Sequence, residues 1–273
     1  MSSTQAEKSR LSLNQITTDT STLADVVEAC ARQEIRWIGA WRHKIRDSPA
    51  QAGKLIRDAG LRVSSLCRGG MFPAATPQER RARIEDNFRA IEEAAALGTD
   101  LLVLVSGPAA DRDLDGARRM VADGIAEIQP YAARCNVRLG IEPLHPMFAG
   151  ERSVVVTLAQ GNELASAFDP QWVGVVVDVY HVWWDPMVYG EIARAGKRIF
   201  GFHVSDWLVP TPSMFMGRGL MGRGVIEIRR LRNAVETAGY SGPIEVEIFN
   251  EELWQTPIDD ALRSVRDDYL QFV

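Results

Sequence analysis

The sequence has few cysteines, and their spacing excludes two common kinds of site. Cys30, Cys67 and Cys135 are the three cysteines in 273 residues, and no two of them form a CxxC pair. A disulfide framework usually needs an even number of cysteines, and a zinc knuckle needs closely spaced ones. Each cysteine is therefore predicted to be a small core residue in a reducing compartment.

Long apolar runs and an excess of positive charge are also missing. No stretch approaches the ~20 apolar residues that a membrane-spanning helix needs. The first ten residues, MSSTQAEKSR, lack the apolar segment of a signal peptide. Lys and Arg total 31 against 36 Asp and Glu, a net charge of -5, whereas a nucleic-acid partner usually requires a basic surface. We expect a cytoplasmic protein that binds neither membrane nor nucleic acid.

What the sequence does contain is a regular alternation of strand-like and helix-like segments. Apolar runs such as DLLVLVSG, from Asp100, alternate with helix-like stretches such as that from about Thr76 to Leu97. Continuous apolar runs of this length are typical of parallel strands that are covered on both faces. Eight such units follow one another without a linker, which predicts one α/β domain over residues 1–273, folded as a (β/α)8 TIM barrel.

A doubly wound open sheet is the alternative fold with this alternation. Such sheets usually carry a glycine-rich phosphate-binding loop after an early strand. The sequence has no such loop, so the barrel is favoured, and a sugar-phosphate substrate is not indicated.

Acidic and histidine side chains stand at the ends of four consecutive predicted strands. The fifth to eighth strands end in GIEP, VVVDVYH, GFHVSD and IEVEIF, which present, in order, Glu142, Asp178, His203 and Glu247. In a barrel these strand ends meet at one face, where catalytic residues lie. Three carboxylates brought together repel one another unless a cation neutralises them. Three oxygen donors and one imidazole suit one divalent ion, Mn²⁺ first, with Mg²⁺ or Co²⁺ as alternatives.

The same motifs resemble those of a known family. GIEP, VVVDVYH, GFHVSD, GRG and IEVEIF follow the order found in the xylose isomerase-like TIM barrels, which include D-tagatose 3-epimerase, hydroxypyruvate isomerase and inosose dehydratase. The resemblance spans nearly the whole chain, and it implies that the four residues above bind one metal ion. It also implies that His181 contacts the substrate and that Glu142 and Glu247 serve as acid or base.

A site of this kind suits proton removal next to a carbonyl group. A metal ion polarises the carbonyl, and a carboxylate or imidazole within hydrogen-bond reach takes the proton from the adjacent carbon. Return of the proton makes the enzyme an isomerase or epimerase. Expulsion of a β-substituent makes it a lyase.

Two segments depart from the pattern of the ketose epimerases. EPLHPMF places His145 three residues after the first metal ligand, where it is a candidate acid or base. A long loop at about 206–224 carries many apolar side chains, and long loops are commonly lids. Trp207 and Phe215 in this loop, together with Trp183, predict an apolar mouth that suits an aromatic aglycone better than a bare hexose.

These departures resemble one branch of the family, the catalytic subunits of C-glycoside deglycosidases. That resemblance implies cleavage of the C–C bond of a 3-oxo-C-glycoside by β-elimination, together with a small β-sandwich partner subunit. His145 is then the candidate base, and Glu142 and Glu247 are ligands that assist. Arg218 in the lid is a candidate for binding a substrate hydroxyl or phosphate group, and Arg68, after the third strand, is a weaker one.

Other functions stay open beside the deglycosidase. A sugar (ketose) isomerase or 3-epimerase would use the same metal and the same carboxylates. A DNA-repair nuclease like endonuclease IV shares the barrel but uses a histidine-rich three-metal cluster, and this chain has 4 His. A barrel that serves as a non-catalytic subunit would not need an intact ligand set. The apolar lid could also be a subunit contact, and we expect the chain to form an oligomer.

Overall fold

The computed structural model describes residues 8–45 and 48–273, and a closed parallel barrel lies at its centre. The barrel strands are β1 Leu11–Asn14, β2 Trp37–Trp41, β3 Arg62–Gly70, β4 Leu101–Val105, β5 Arg138–Glu142, β6 Val173–Asp178, β7 Ile199–Val204 and β10 Ile244–Val246. Strands β1 to β7 pair in parallel in chain order, and β10 pairs with both β7 and β1 to close the barrel. The short strands β8 Asp206–Trp207 and β9 Arg218–Gly219 lie outside the barrel and pair with each other. This arrangement confirms the predicted TIM barrel and excludes the open sheet.

Helices follow the strands and cover the barrel. They are Leu23–Arg32, Arg42–Ile45, Pro49–Asp58, Pro77–Leu97, Leu114–Arg134, Leu158–Ser166, Val179–Val182, Val188–Ala195, Ile228–Thr237, Glu251–Gln255 and Ile258–Phe272. Short 3-10 turns occupy Gln15–Thr18, Pro146–Phe148 and Gly196–Arg198. Within the described residues, no helix is both long enough and apolar enough to span a membrane.

The helix Pro77–Leu97 shows how the sequence sets its own boundaries. The Thr76 hydroxyl accepts a hydrogen bond from the Glu79 backbone N–H, and the Glu79 carboxylate accepts one from the Thr76 N–H. This reciprocal pairing satisfies two N–H groups that the first turn leaves free. Gly98 ends the helix at a φ of 94°, a conformation that glycine adopts without steric cost.

The apolar core has two layers. The larger layer lies between the barrel and the helices, where residues such as Leu102 and Leu104 of β4 point outward. A smaller cluster of Cys67, Val103 and Val176 fills the barrel interior. Because side chains alternate along a strand, the wholly apolar sequence of β4 supplies both layers. The interior cluster forms the floor beneath the ends of the strands.

The cysteines are free and contribute to packing. Cys30 and Cys67 are buried, and Cys135 is partly buried against the main core. Burial raises the pKa of both the Cys30 and the Cys67 thiol, so neither is reactive at neutral pH.

Candidate active site

The barrel brings four of the predicted site residues to one place. Glu142 ends β5, Asp178 ends β6, His203 lies on β7 and Glu247 directly follows β10. Each offers one possible ligand atom, and these atoms all lie within 4.8 Å of one another. All four residues are buried.

The DVYH sequence places its acid and its histidine on the same rim. The Asp178 carboxylate accepts a hydrogen bond from the Tyr180 N–H at 2.9 Å, and in this way caps the short helix Val179–Val182. His181 follows three residues later, so it lies on the same face of that first turn. Its Nε2 is 3.6 Å from Asp178 Oδ2.

The donor set fits a divalent metal ion. Glu142 Oε1 lies 3.2 Å from His203 Nδ1, yet both of these buried atoms lack a hydrogen-bond partner among the described residues. Buried polar atoms without partners are costly, and a cation between them would satisfy both. Three carboxylates and one imidazole are ligands that Mn²⁺, Mg²⁺, Co²⁺ and Zn²⁺ accept.

A buried arginine lies beside the cluster. Arg218 Nη1 donates to Asp178 Oδ2 at 2.9 Å and to Glu247 Oε2 at 3.0 Å. Its guanidinium carbon lies 4.6 Å from the centre of the Tyr180 ring and 5.0 Å from that of Phe249. The predicted substrate-binding arginine therefore also neutralises two of the carboxylates.

The carboxylates of Glu142 and Glu247 differ in their electrostatic environment. Burial raises the pKa of Glu142 to about 7, and repulsion from Glu247 adds to this effect. Burial acts in the same direction on Glu247, but Arg218 and His203 outweigh it and lower the pKa of Glu247 to about 2. At neutral pH, Glu247 is thus ionised while Glu142 lies at its midpoint.

The two histidines of the site are perturbed in opposite directions. Burial lowers the pKa of His181 to about 3, so its ring is neutral. Its Nδ1 accepts the backbone N–H of His145 at 3.1 Å, and its Nε2 lies 3.1 Å from Arg218 Nη2, a group that can only donate. Burial opposes protonation of His203, but Glu245 and Glu142 outweigh it and raise the pKa of His203 well above its ordinary value.

Glu245 supports the cluster from inside the barrel. Its carboxylate accepts hydrogen bonds from Asn14 Nδ2 at 2.7 Å and from Ser64 Oγ at 2.7 Å. Its Oε1 lies 3.8 Å from His203 Nε2, on the side of the ring away from Glu142. Asn14 Nδ2 also lies 3.3 Å from Glu247 Oε1, so one amide joins the inner carboxylate to a candidate ligand.

A cavity opens above the four residues. It has about 420 Å³ of space that no atom occupies, part of it open to solvent. Its walls include the predicted residues Glu142, Glu247, His181, Arg218 and Phe215.

The family model described as the xylose isomerase-like TIM barrel matches residues 24–268. The chain belongs to this family. A solved structure of protein SMc04130 from Sinorhizobium meliloti 1021 is 43% identical, with a TM-score of 0.93, over 96% of this chain and 98% of that one.

Two curated relatives are more distant. The 3-dehydroshikimate dehydratase of Pseudomonas aeruginosa is 26% identical over 80% of this chain, which covers 35% of the dehydratase. The inosose isomerase of Halalkalibacterium halodurans is 24% identical over 67% of this chain and 65% of the isomerase. The chain thus spans about a third and about two thirds of the lengths of these relatives.

Three predicted residues are not among those that line this cavity. The described residues that line the cavity do not include His145, Trp183 or Trp207. The His145 ring lies 5.2 Å from the Trp207 ring, and its Nδ1 accepts the Met147 N–H at 3.2 Å. Trp207 stacks on Tyr180 at 4.8 Å and lies 5.7 Å from Trp183. Their proposed roles in catalysis and substrate binding stay predictions.

The predicted lid, residues 206–224, is anchored at its base. Strands β8 Asp206–Trp207 and β9 Arg218–Gly219 pair antiparallel within it. The Asp206 carboxylate accepts backbone N–H groups of Trp207, Gly222, Gly224 and Ile226 at 2.8 to 3.0 Å. The tip of the lid is exposed, with Val209 and Met214 at 69% and 59%. Phe215 is 37% exposed, and its ring lies 4.9 Å from that of Phe249.

The cavity also contains residues that the sequence reasoning missed. Trp41 ends β2 and Phe249 follows Glu247 by two residues, so the rule that chemistry lies at strand ends could have found both. Arg152 lines the cavity from the segment after the 3-10 turn Pro146–Phe148, and no pattern marks it. Arg68, the weaker candidate, also lines this cavity.

Proposed function

We propose that the chain is a divalent-metal-dependent enzyme that removes a proton from the carbon next to a carbonyl group of a sugar-like substrate. One observation carries this proposal. Glu142 and Glu247 reach the same cavity from different strands, beside a buried donor set that fits one metal ion. The curated relatives, an isomerase and a dehydratase, support an enzyme that modifies sugars or related polyols.

The residues divide the work as follows. Glu142, Asp178, His203 and Glu247 would hold the ion, Mn²⁺ first. Such an ion polarises a carbonyl group and stabilises the negative charge that develops on its oxygen. The Glu142 and Glu247 carboxylates face the cavity, so one can take the proton and the other can return one.

Neighbouring side chains orient the substrate. The Arg218 guanidinium is a donor on the cavity wall for substrate hydroxyl or carbonyl oxygens, and His181, whose Nε2 lies 3.1 Å from Arg218 Nη2, lines the same wall beside it. The rings of Phe148, Phe215 and Phe249 form an apolar part of the cavity wall. A substrate that covers these rings would displace water and strengthen the polar interactions beside them.

Return of the proton is the outcome that the cavity favours. Glu142 and Glu247 both line it, so one carboxylate can take a proton from a carbon and the other can return one. We therefore place isomerisation or epimerisation of a hydroxyketone first. The sequence alone favoured β-elimination instead, on the strength of the apolar lid and of His145.

Cleavage of a 3-oxo-C-glycoside is the second candidate function. The cavity has four aromatic walls, Trp41, Phe148, Phe215 and Phe249, on which an aryl aglycone would pack. His145 is not among the residues that line the cavity, whereas Glu142 and Glu247 are, so the base in this reaction would be one of these two carboxylates. The small β-sandwich partner subunit and an oligomeric state stay predictions.

Hydrogen exchange tests the step that both candidate functions share. Metal-depleted protein is reloaded with Mn²⁺ and incubated in D₂O with a ketohexose, an inosose or a 3-oxo-C-glucoside. Proton NMR then follows deuterium at the carbon next to the carbonyl. We expect exchange into at least one substrate that depends on the metal, with epimer, aldose or free aglycone identifying the outcome.

Matched variants make the result specific. Glu142→Gln and Glu247→Gln should abolish exchange, whereas Glu85→Gln, the same change on an exposed position of the helix Pro77–Leu97, should not. One bound metal ion per chain without exchange into any of the three ketones would contradict the proposal.

A further inference from the structure

Two arginines of the cavity wall have no acidic partner. Arg68 and Arg152 line the same cavity as Glu142 and Glu247, and both are partly buried. Across residues 8–45 and 48–273, neither side chain forms an ion pair with an acid. Arg42, close to Arg68 on the outer side, shows the ordinary arrangement, because its guanidinium bonds both Asp86 and Glu93.

The buried acids of the site carry fewer charges than the cations around them. Glu142, Asp178, Glu247 and Glu245 carry four negative charges when ionised, and a divalent ion and Arg218 offset three of them. Arg68 and Arg152 add two positive charges to the cavity wall, so an excess of one positive charge remains. Burial lowers the pKa of both guanidinium groups, and the nearby Arg68 and Arg218 lower that of Arg152 further. The Glu247 and Glu142 carboxylates raise the pKa of Arg152 but do not outweigh burial, so neither arginine has an acid close enough to compensate its charge fully.

Aromatic packing holds Arg152 in place but does not neutralise it. Its guanidinium carbon lies 4.7 Å from the centre of the Phe215 ring and 5.8 Å from that of Phe148. Such contacts orient a cation through the ring quadrupole and leave its N–H groups free to bind oxygen. Because Phe215 belongs to the lid, a ligand held by Arg152 would lie beneath the lid tip.

We propose that the substrate carries an anionic group, a carboxylate or a phosphate monoester, which Arg68 and Arg152 bind. The planar guanidinium group matches the paired oxygens of both anions, and such bonds are the stronger hydrogen bonds of proteins. This inference rests on the proposed function, because it concerns a substrate of the same cavity. It also supplies an anion site in a chain that has no phosphate-binding loop.

Binding measurements test the inference without relying on turnover. Calorimetric titration of the Mn²⁺-loaded protein compares D-ribulose 5-phosphate with D-ribulose, and quinate with its methyl ester. Within each pair the ligands differ mainly in the anion. We expect the charged member of one pair to bind about ten-fold tighter or more than the neutral one, as charge-assisted bonds provide. A preference within the ribulose pair identifies the anionic group of the substrate as a phosphate, and a preference within the quinate pair identifies it as a carboxylate.

Variants assign the preference to the two arginines. Arg68→Gln and Arg152→Gln should each remove most of it and leave the affinity for the neutral ligand nearly unchanged. Arg152→Lys, which keeps the charge and most of the packing, should retain part of it. Arg81→Gln, the same charge change on an exposed helix position, should retain all of it.

Two results would overturn the inference. One is equal affinity for the charged and neutral members of both pairs, including the absence of binding by all four ligands. The other is a preference that survives in the folded Arg68→Gln and Arg152→Gln variants. Failure of the proposed function is a separate result, because it would appear as missing exchange or missing metal whatever the anion preference.

Discussion

Arg218 Nη1 donates to Glu247 Oε2 at 3.0 Å, so an arginine of the lid bonds a carboxylate at the end of the last barrel strand. The same nitrogen bonds Asp178, another candidate metal ligand. A fully buried arginine thereby serves as an internal cation for acids that would otherwise repel one another. The lid and the candidate metal site are coupled through this one side chain.

Removal of that cation should destabilise the metal-free protein. Loss of one partner of a buried ion pair costs roughly 3–5 kcal/mol, because the remaining charge stays buried. We expect Arg218→Gln to lower the free energy of unfolding by an amount of this order in chelator. Mn²⁺ should restore more stability to this variant than to the natural protein. Urea denaturation with and without metal measures both effects.

Arg223 provides the matched control for this experiment. It lies in the same segment but forms an ion pair with Asp268 in which the arginine side chain is 58% exposed. Exposed pairs contribute about 0–1 kcal/mol, so Arg223→Gln should be nearly neutral. Equal losses for the two variants would show that Arg218 does not compensate the buried acids.

Metal affinity should fall as the pH is lowered through neutrality. Burial raises the pKa of Glu142 to about 7, so below that pH the metal ion must displace a proton from this carboxyl group. The metal ion must also displace a proton from His203, whose pKa the neighbouring carboxylates raise. Each released proton weakens binding by about ten-fold for each pH unit below the pKa of its group. Titration calorimetry with Mn²⁺ at several pH values, in buffers of different ionisation enthalpy, measures both the affinity and the protons released. An affinity that does not change between pH 5.5 and 8 would contradict this prediction.

The Asp206 carboxylate should determine whether the lid closes. It accepts four backbone N–H groups, and the segment that they fix carries Arg218 and Phe215. Asp206→Asn turns one of the two acceptor oxygens into a donor that faces N–H groups. We expect a loss of about 3 kcal/mol, since hydrogen bonds to charged groups contribute roughly 1.5–3 kcal/mol each.

The functional measure of the Asp206→Asn variant is substrate affinity. A lid that no longer holds Arg218 should raise KM more than it lowers the metal content. Asp268→Asn, which removes only the partner of Arg223 in the segment, is the control. An unchanged KM in a destabilised Asp206→Asn variant would show that this carboxylate stabilises the fold without positioning the lid.

Gly39 should be intolerant of a side chain because Glu245 lies against it. A Cβ atom at this position would be 1.9 Å from Glu245 Oε1. Gly39→Ala must therefore displace the inner carboxylate from its serine and asparagine donors, at a cost of about 1–3 kcal/mol. Gly190→Ala, in a helix with open space around the new methyl group, should instead be neutral or slightly stabilising. Thermal unfolding of the two variants, compared with the natural protein, distinguishes these outcomes.

The fold and the four-residue cluster were predictable because they depend on local patterns. Apolar runs of strand length define the barrel, and a barrel aligns the ends of all its strands at one face. Each of the four residues stands at or near the end of a strand, so this rule places them together at that face: Glu142, Asp178, His203 and Glu247. The spacing of Asp178 and His181 follows in the same way from a single helical turn.

The walls of the cavity were less predictable because they depend on contacts between distant segments. The sequence did not show that Trp207 pairs with Arg218 across β8 and β9 and stacks on Tyr180. Arg152 looked like any loop arginine, and only the position of its loop over the barrel brings it to the cavity. The position of a loop residue depends on how its loop packs over the end of the barrel, and no single sequence segment encodes that packing.

His145 is the base that the sequence predicted, but it is not among the residues that line the cavity. Its ring lies 5.5 Å from that of Trp184 and 5.2 Å from that of Trp207, and burial lowers its pKa. The bond to His181 comes from the His145 backbone N–H, which any substitution except proline retains. We therefore expect His145→Ala to keep its metal ion and to retain deuterium exchange within about ten-fold, while lost aromatic packing costs about 0.5–1.5 kcal/mol. Loss of exchange by more than a hundred-fold in a stable, metal-loaded His145→Ala protein would instead restore this imidazole as the base.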